Sequence, residues 1–287
     1  MTNMIHPETR LGEVKLKVSQ LERSIAFYQD VIGFRVLNQY DRTAELTADG
    51  SSSLLVLEEI PNAITTRPRT TSGLYHFAIL LPTRRDLGMV LRRLIEAKLQ
   101  LGQADHLVSE AIYLSDPDQN GIEIYRDRPR EEWKHEADGS VVMDSLPIDW
   151  EGLLNEAKDV PWTGLPAGTT IGHVHFHVHS LEQAKAFYCD ALGFEMQADL
   201  GRRMGALFIG AGGYHHHIGL NIWAGQNAPR TPQNATGLAY AEIILPSGEE
   251  LEAVIKRLRD SGYSASYEDG FWFIIDPSGI TLKLSAA

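Results

Sequence analysis

The sequence predicts an α+β fold made of four βαβββ units. Two observations predict it: the chain repeats itself, and each repeat reads as a strand, a helix and then several short strands. "LERSIAFYQDVIGF" (21–34) returns as "LEQAKAFYCDALGF" (181–194). Leu21, Glu22, Ala26, Phe27, Tyr28, Asp30, Gly33 and Phe34 all recur 160 residues on, and Gly12 maps onto Gly172 by the same offset. "SDPDQNGIEIY" (115–125) returns as "IDPSGITLKLS" (275–285), again 160 apart. A second likeness, "GLYHFAILLP" (73–82) with "GLAYAEIILP" (237–246), divides each half into two units of about fifty residues.

The elements follow in order. "EVKLKV" alternates apolar and polar residues as a half-buried strand does. "SQLERSIAFYQDVI" is a helix, with Ser19 as its N-cap and Gly33 as its stop. "RVLNQY", "TAELTA" and "SLLVLEE" are short strands between polar or glycine breaks. The second unit runs "YHFAILLP", helix "RRDLGMVLRRLIEAK", then strands ending in "GIEIYRD". The N-terminal half is 1–126, with units 8–60 and 73–126, and the C-terminal half is 169–287, with units 169–225 and 237–285. Residues 127–168 carry prolines, many charges and one short helix, "WEGLLNEAK", and read as the connection.

Bulk composition narrows the function. A net charge of −12 argues against a phosphate-tracking face and so against nucleic acid. Cys189 is the only cysteine, so no internal disulfide can form and the cytoplasm is the natural compartment. The N-terminus lacks the apolar core of a signal peptide, and the longest apolar runs are strand-sized, so no membrane span is expected.

Four such units, with "AFY-x-D-x-x-GF" after the first helix, resemble the vicinal oxygen chelate superfamily of glyoxalases, bleomycin-resistance proteins and extradiol dioxygenases. The resemblance covers nearly the whole chain. It implies that units pair and curl into cups, with metal ligands on each unit's first and last strands. The first-strand slots are then Glu13, His76, His173 and Tyr240 in units one to four. The last-strand slots are Glu123 and Lys283 in units two and four. His76, Glu123 and His173 would form a two-His, one-carboxylate triad, the set used by non-haem Fe(II) oxygenases. That set requires units two and three to share the active cup, and units one and four a degenerate one. Glu13 and Lys283 would then face each other as an ion pair, since a protonated lysine is a poor ligand.

A second stretch agrees. "ADHLVSEAIYLSDPDQNGIE" (104–123) is similar to the extradiol dioxygenase signature, departing at Ala104 and at Gln119, where Gly or Pro is usual. The resemblance implies that Tyr113 bonds a ring oxygen of the substrate and that His106 lines the pocket. "HHIGLN" fits loosely the stretch that carries the family's acid–base histidine, which places it at His217, with His216 the other candidate. On a strand, His215 and His217 would share one face and His216 the other. An ordinary polar strand edge is the plainer reading of "HHH". For "GHVHFHVH", a polar strand face and a ligand are both open, and His175 or His177 could replace His173.

The resemblance therefore implies extradiol cleavage of a catechol-type diol by O₂, as in two-domain catechol 2,3-dioxygenase-like proteins, with Fe(II) or Mn(II). It also implies a homo-oligomer. A glyoxalase-type lyase or isomerase is one alternative, disfavoured because "HHIGLNIW" offers no glutamate as a fourth ligand. A non-catalytic binding protein is the other, disfavoured by the retained ligand set.

Overall fold

A computed structural model describes residues 4–287. Unit one contributes β1 (Arg10–Val18), β2 (Arg35–Gln39), β3 (Thr43–Thr47) and β4 (Leu55–Glu59). Unit two contributes β5 (Gly73–Leu80), β6 (Gly102–Asp105), β7 (Ser109–Ser115) and β8 (Gly121–Asp127). Unit three gives β9 (Thr170–His177), β10 (Glu195–Leu200), β11 (Ala206–Gly210) and β12 (Ile218–Asn221). Unit four gives β13 (Gly237–Leu245), β14 (Ala265–Glu268), β15 (Phe271–Ile275) and β16 (Thr281–Ala286). Among the described residues, no helix is long and apolar enough to cross a membrane.

The strands form two curled eight-stranded sheets. One runs β14-β15-β16-β13-β1-β4-β3-β2 and joins units one and four. The other runs β10-β11-β12-β9-β5-β8-β7-β6 and joins units two and three. The units thus pair out of chain order, as the division of ligand residues requires. First strands meet antiparallel at the centre of each sheet, β1 on β13 and β5 on β9.

Helices pack on the sheets and share their apolar core. The principal ones are α1 (Leu21–Ala26), α2 (Arg84–Glu96), α3 (Trp150–Glu156), α4 (Leu181–Lys185), α5 (Gly201–Met204) and α6 (Gly248–Asp260). Thr83, Ser180 and Ser247 cap α2, α4 and α6 by accepting a backbone N–H. Ser19 does not cap α1. Its hydroxyl donates to Asp118 Oδ1 at 2.6 Å instead. The cap position is Gln20, whose side chain makes no capping bond, and the Glu59 carboxylate accepts the Leu21 N–H.

The "AFY" segment after α1 is not α-helical. Residues Phe27–Ile32 wind as a wider π-helix, as do Ala186–Ala191 in the third unit. The Tyr28 hydroxyl then donates to Asp116, and the Tyr188 hydroxyl to Asp276. Both bonds cross from one sheet's units to the other's. The apolar core is continuous between the sheets, from Leu16 and Leu57 through Tyr28 and Phe77 to Phe176, Tyr188 and Ile243.

Candidate active site

The antiparallel β5–β9 register brings the first-strand histidines of units two and three together, and β8 lies beside β5. His76, Glu123 and His173 converge there. Their ligand atoms all lie within 4.8 Å of one another. They are 5%, 2% and 1% exposed, so all three are buried side chains. His173 Nε2 and His76 Nε2 each lie 3.0 Å from Glu123 Oε2. His76 Nε2 is nevertheless buried without a properly aligned hydrogen bond. Buried polar atoms are rarely left so. Two imidazole nitrogens crowding one carboxylate oxygen, one of them unsatisfied, are a donor set that a divalent cation fits.

Electrostatics within the triad are mutual. Burial raises the Glu123 carboxyl, but His173 and His76 outweigh it and hold it well below the usual range. Burial also lowers the His173 imidazole, against the pull of Glu123. Both directions favour the deprotonated Glu123 and His173 that metal binding needs.

A cavity of about 480 Å³ opens onto this cluster. Its apolar wall includes Val108, Met143, Leu200, Met204, Phe208 and Trp223. Its polar groups include Tyr113, His106, His216 and His175. Trp223 lines this cavity and donates its Nε1–H to the Met204 carbonyl. Met143 and Asp144 come from the 127–168 segment, so that stretch walls the site as well as linking the halves.

Two hydrogen-bond chains fix proton positions. His106 Nδ1 is 2.7 Å from the Asp144 carbonyl, which can only accept, so Nδ1 carries the proton. His106 Nε2 is then an acceptor in its neutral form, and the Tyr113 hydroxyl donates to it at 2.7 Å. Tyr113 keeps its own oxygen lone pairs for a ligand, and burial pushes its ionisation well up. His106 sits in the tight β6–β7 turn, where Leu107 adopts a left-handed φ of 68°.

The second chain runs through the histidine triplet. The Asp127 carboxylate accepts from His215 Nε2 at 2.8 Å. Neutral His215 therefore presents an Nδ1 acceptor, and His216 Nδ1 donates to it at 2.8 Å. This leaves His216 Nε2 with a free lone pair. The His216 ring lies 4.1 Å from that of His173, and burial holds it well below ordinary histidine basicity.

The triplet is not a strand, and the expected alternation fails. Gly212 and Gly213 have φ of 58° and 67°, so the chain turns there and β12 begins only at Ile218. His217 is carried away from the cluster. Its Nδ1 accepts the Ala211 N–H at 3.1 Å, and its ring packs on Phe194 and Tyr214. Burial, with His215 and His173 nearby, pushes His217 down to about 3. The site thus brings together His76, Glu123, His173, Tyr113, His106 and His216, and leaves His217 outside.

In the opposite sheet the equivalent slots also converge. Lys283 Nζ lies 3.0 Å from Glu13 Oε1, and the Tyr240 hydroxyl donates to the same oxygen at 2.6 Å. Glu242, which sequence reading passed over, lies 3.2 Å from Lys283 Nζ. The Glu13–Lys283 pair expected at the degenerate cup is therefore present.

Four units in two cups, with one His₂Glu centre among the described residues, define a class, and comparison with known proteins gives it a family. The model of the Glyoxalase/Bleomycin resistance protein/Dioxygenase superfamily matches residues 10–124 and 170–284, and the chain belongs to that superfamily. It is 54% identical over 273 residues to a protein of Bacillus subtilis (strain 168) named catechol-2,3-dioxygenase, covering 95% of each chain. Solved structures share the fold. One from Bacillus subtilis has a TM-score of 0.63 at 12% identity, over 99% of this chain and 85% of its own. Glyoxalase I from Zea mays has a TM-score of 0.57 at 16% identity, over 96% and 92%.

Proposed function

We propose that this protein is an extradiol dioxygenase, which opens a catechol-type aromatic diol with O₂ at a metal held by His76, Glu123 and His173. The observation that carries the reading is the convergence of two imidazoles and one carboxylate at the buried end of an apolar cavity. The 54%-identical relative named catechol-2,3-dioxygenase supports the same reaction. Fe(II) is the metal of the reading, with Mn(II) as the alternative for the same ligands. When bound, it supplies Lewis acidity toward the diol and a path for electron density to O₂.

The chain's own residues do the rest. Phe208 and Trp223 offer flat apolar surfaces to the ring. Tyr113, with its proton committed to His106, accepts a hydrogen bond from a diol hydroxyl and orients it. His216 Nε2 takes a proton from the diol, and the His215–Asp127 chain holds it in the tautomer that can do so. The acid–base role thus moves from His217, the expectation from sequence, to His216.

The test is anaerobic purification with metal analysis, then addition of Fe(II), catechol and air. Stoichiometric iron and a yellow semialdehyde, both lost in His76→Ala and Glu123→Ala, are the expected result. Bound metal without ring cleavage, across several substituted catechols, would shift the reading to a lyase. No metal would leave a binding protein.

A further inference from the structure

We propose that His175 is a further substrate-positioning residue whose Nε2 hydrogen-bonds the diol in the cavity, an inference that rests on the dioxygenase reading above. His175 is 3% exposed and lines the cavity, and its Nε2 is buried with no hydrogen-bond partner among the described residues. The β5–β9 register sets it opposite His76, with ring centroids 5.1 Å apart. It therefore stands beside His76, whereas His216 stands beside His173, so the two flank the triad.

The position is built to hold an imidazole. On β12, Gly219 lies directly opposite His175. A Cβ at Gly219 would sit 2.8 Å from the His175 Cγ, so a side chain there would displace the ring. Trp223, Phe208 and Tyr75 flank the ring, with centroids 5.4, 5.7 and 5.2 Å away. These aromatic neighbours fix the ring, but their packing on it leaves Nε2 unanswered. An imidazole Nε2 either donates or accepts, and so does a phenolic hydroxyl, which makes the two complementary. A buried polar atom of this kind is costly to leave bare, which favours a cavity filled by a hydroxylated ring over one filled by an apolar ring.

The experiment is anaerobic titration of the metal-loaded protein with 4-nitrocatechol, a coloured diol, with metal content measured on each sample. His175→Phe keeps the ring volume and loses the hydrogen bond. His175→Gln keeps a donor and an acceptor. The expected result is full metal in both variants, with Kd raised about tenfold in His175→Phe and within about threefold of native in His175→Gln. Equal weakening in both variants would mean that ring shape, not the hydrogen bond, matters, and would overturn the proposal. Native-like binding by His175→Phe, or loss of its metal, would overturn it too. Failure of the native protein itself to bind nitrocatechol would overturn the dioxygenase reading, and this one with it.

Discussion

Lys283→Met tests whether the degenerate cup is held by a built-in cation. In the native chain Lys283 is 7% exposed and its ammonium sits between two carboxylates, 3.0 Å from Glu13 and 3.2 Å from Glu242. At an effective dielectric near 20, each contact is worth about 5 kcal/mol of gross attraction. Desolvating the ammonium takes back several kcal/mol. Removing the lysine leaves both carboxylates in place with their cation gone. Breaking a buried pair in this way costs about 3–5 kcal/mol. The lower end applies here, because Glu13 keeps the Tyr240 hydroxyl while Glu242 keeps the Ser285 hydroxyl and the Glu13 N–H.

A loss of about 3 kcal/mol lowers the melting midpoint by roughly 6–12 °C for a chain of this size. Thermal unfolding followed by circular dichroism reads that directly. Metal content and turnover should stay native, because His76, Glu123 and His173 lie in the other sheet. The double variant Glu13→Gln/Lys283→Met should recover at least about 1 kcal/mol, since it removes one of the stranded charges. A midpoint within about 2 °C of native in Lys283→Met would refute the electrostatic account. Loss of metal in that variant would refute the independence of the two cups.

Three further outcomes are expected. His216→Gln should lower kcat by about 10²–10⁴-fold, whereas His217→Gln should cost about 1 kcal/mol of stability and leave turnover nearly native; steady-state kinetics and melting curves separate the two. Tyr113→Phe should lower kcat by about 10–10²-fold at unchanged metal content, because it removes the diol's acceptor and strands His106 Nε2; equal kcat would remove Tyr113 from the mechanism. Asp276 is pushed up to about 6 by burial, against the bonds it accepts from the Ile280 N–H and the Tyr188 hydroxyl. Between about pH 4 and pH 6 the folded carboxyl keeps a proton that the unfolded chain, with a pKa of about 3.9, has released. Stability from this group therefore falls as pH rises through that window, by up to about 3 kcal/mol, and is level above it. Asp276→Asn should flatten this segment of the denaturation profile and leave the protein more stable at pH 7.

Much of this architecture is written into the repeats. Gly12 and Gly172 recur because each leaves room for a side chain of the partner unit. A Cβ at Gly172 would lie 1.8 Å from the Tyr125 hydroxyl, and one at Gly12 would lie 2.2 Å from the Glu242 carboxylate. Tyr28 and Tyr188 recur because each bonds an aspartate 88 residues on. Gln119 departs from the signature but keeps its backbone. Its φ of 67° is left-handed, as is Gly279 at the repeated position. The pairing of units was legible only through chemistry, since apolar periodicity is the same in all four. The histidine triplet was misread because two glycines turn the chain just before it, and a pattern of alternation has no meaning on a turn. The partners that fix His106 and His216 were hidden for another reason. One is the backbone carbonyl of Asp144, which has no residue-type signal, and the other is Asp127, which acts on His216 through His215 and lies on the border of a segment read as a connection.

The two cups answer one geometric problem with different chemistry. The paired sheets bring three equivalent positions together in each: His173, His76 and Glu123 in one, and Glu13, Tyr240 and Lys283 in the other. The geometry is nearly the same, with His173 Nε2 3.0 Å from Glu123 and Glu13 Oε1 3.0 Å from Lys283. In the first cup the polar atoms are one carboxylate and two imidazoles, and a buried nitrogen is left unsatisfied. In the second an ammonium is tethered to β16, and Phe271 packs on it at 3.9 Å from the ring centroid. A tethered cation satisfies its carboxylates permanently and leaves them nothing to bind. The unsatisfied nitrogen of the first cup is the reason to place chemistry there, and it follows from residue type at the three repeated positions, not from any difference in fold.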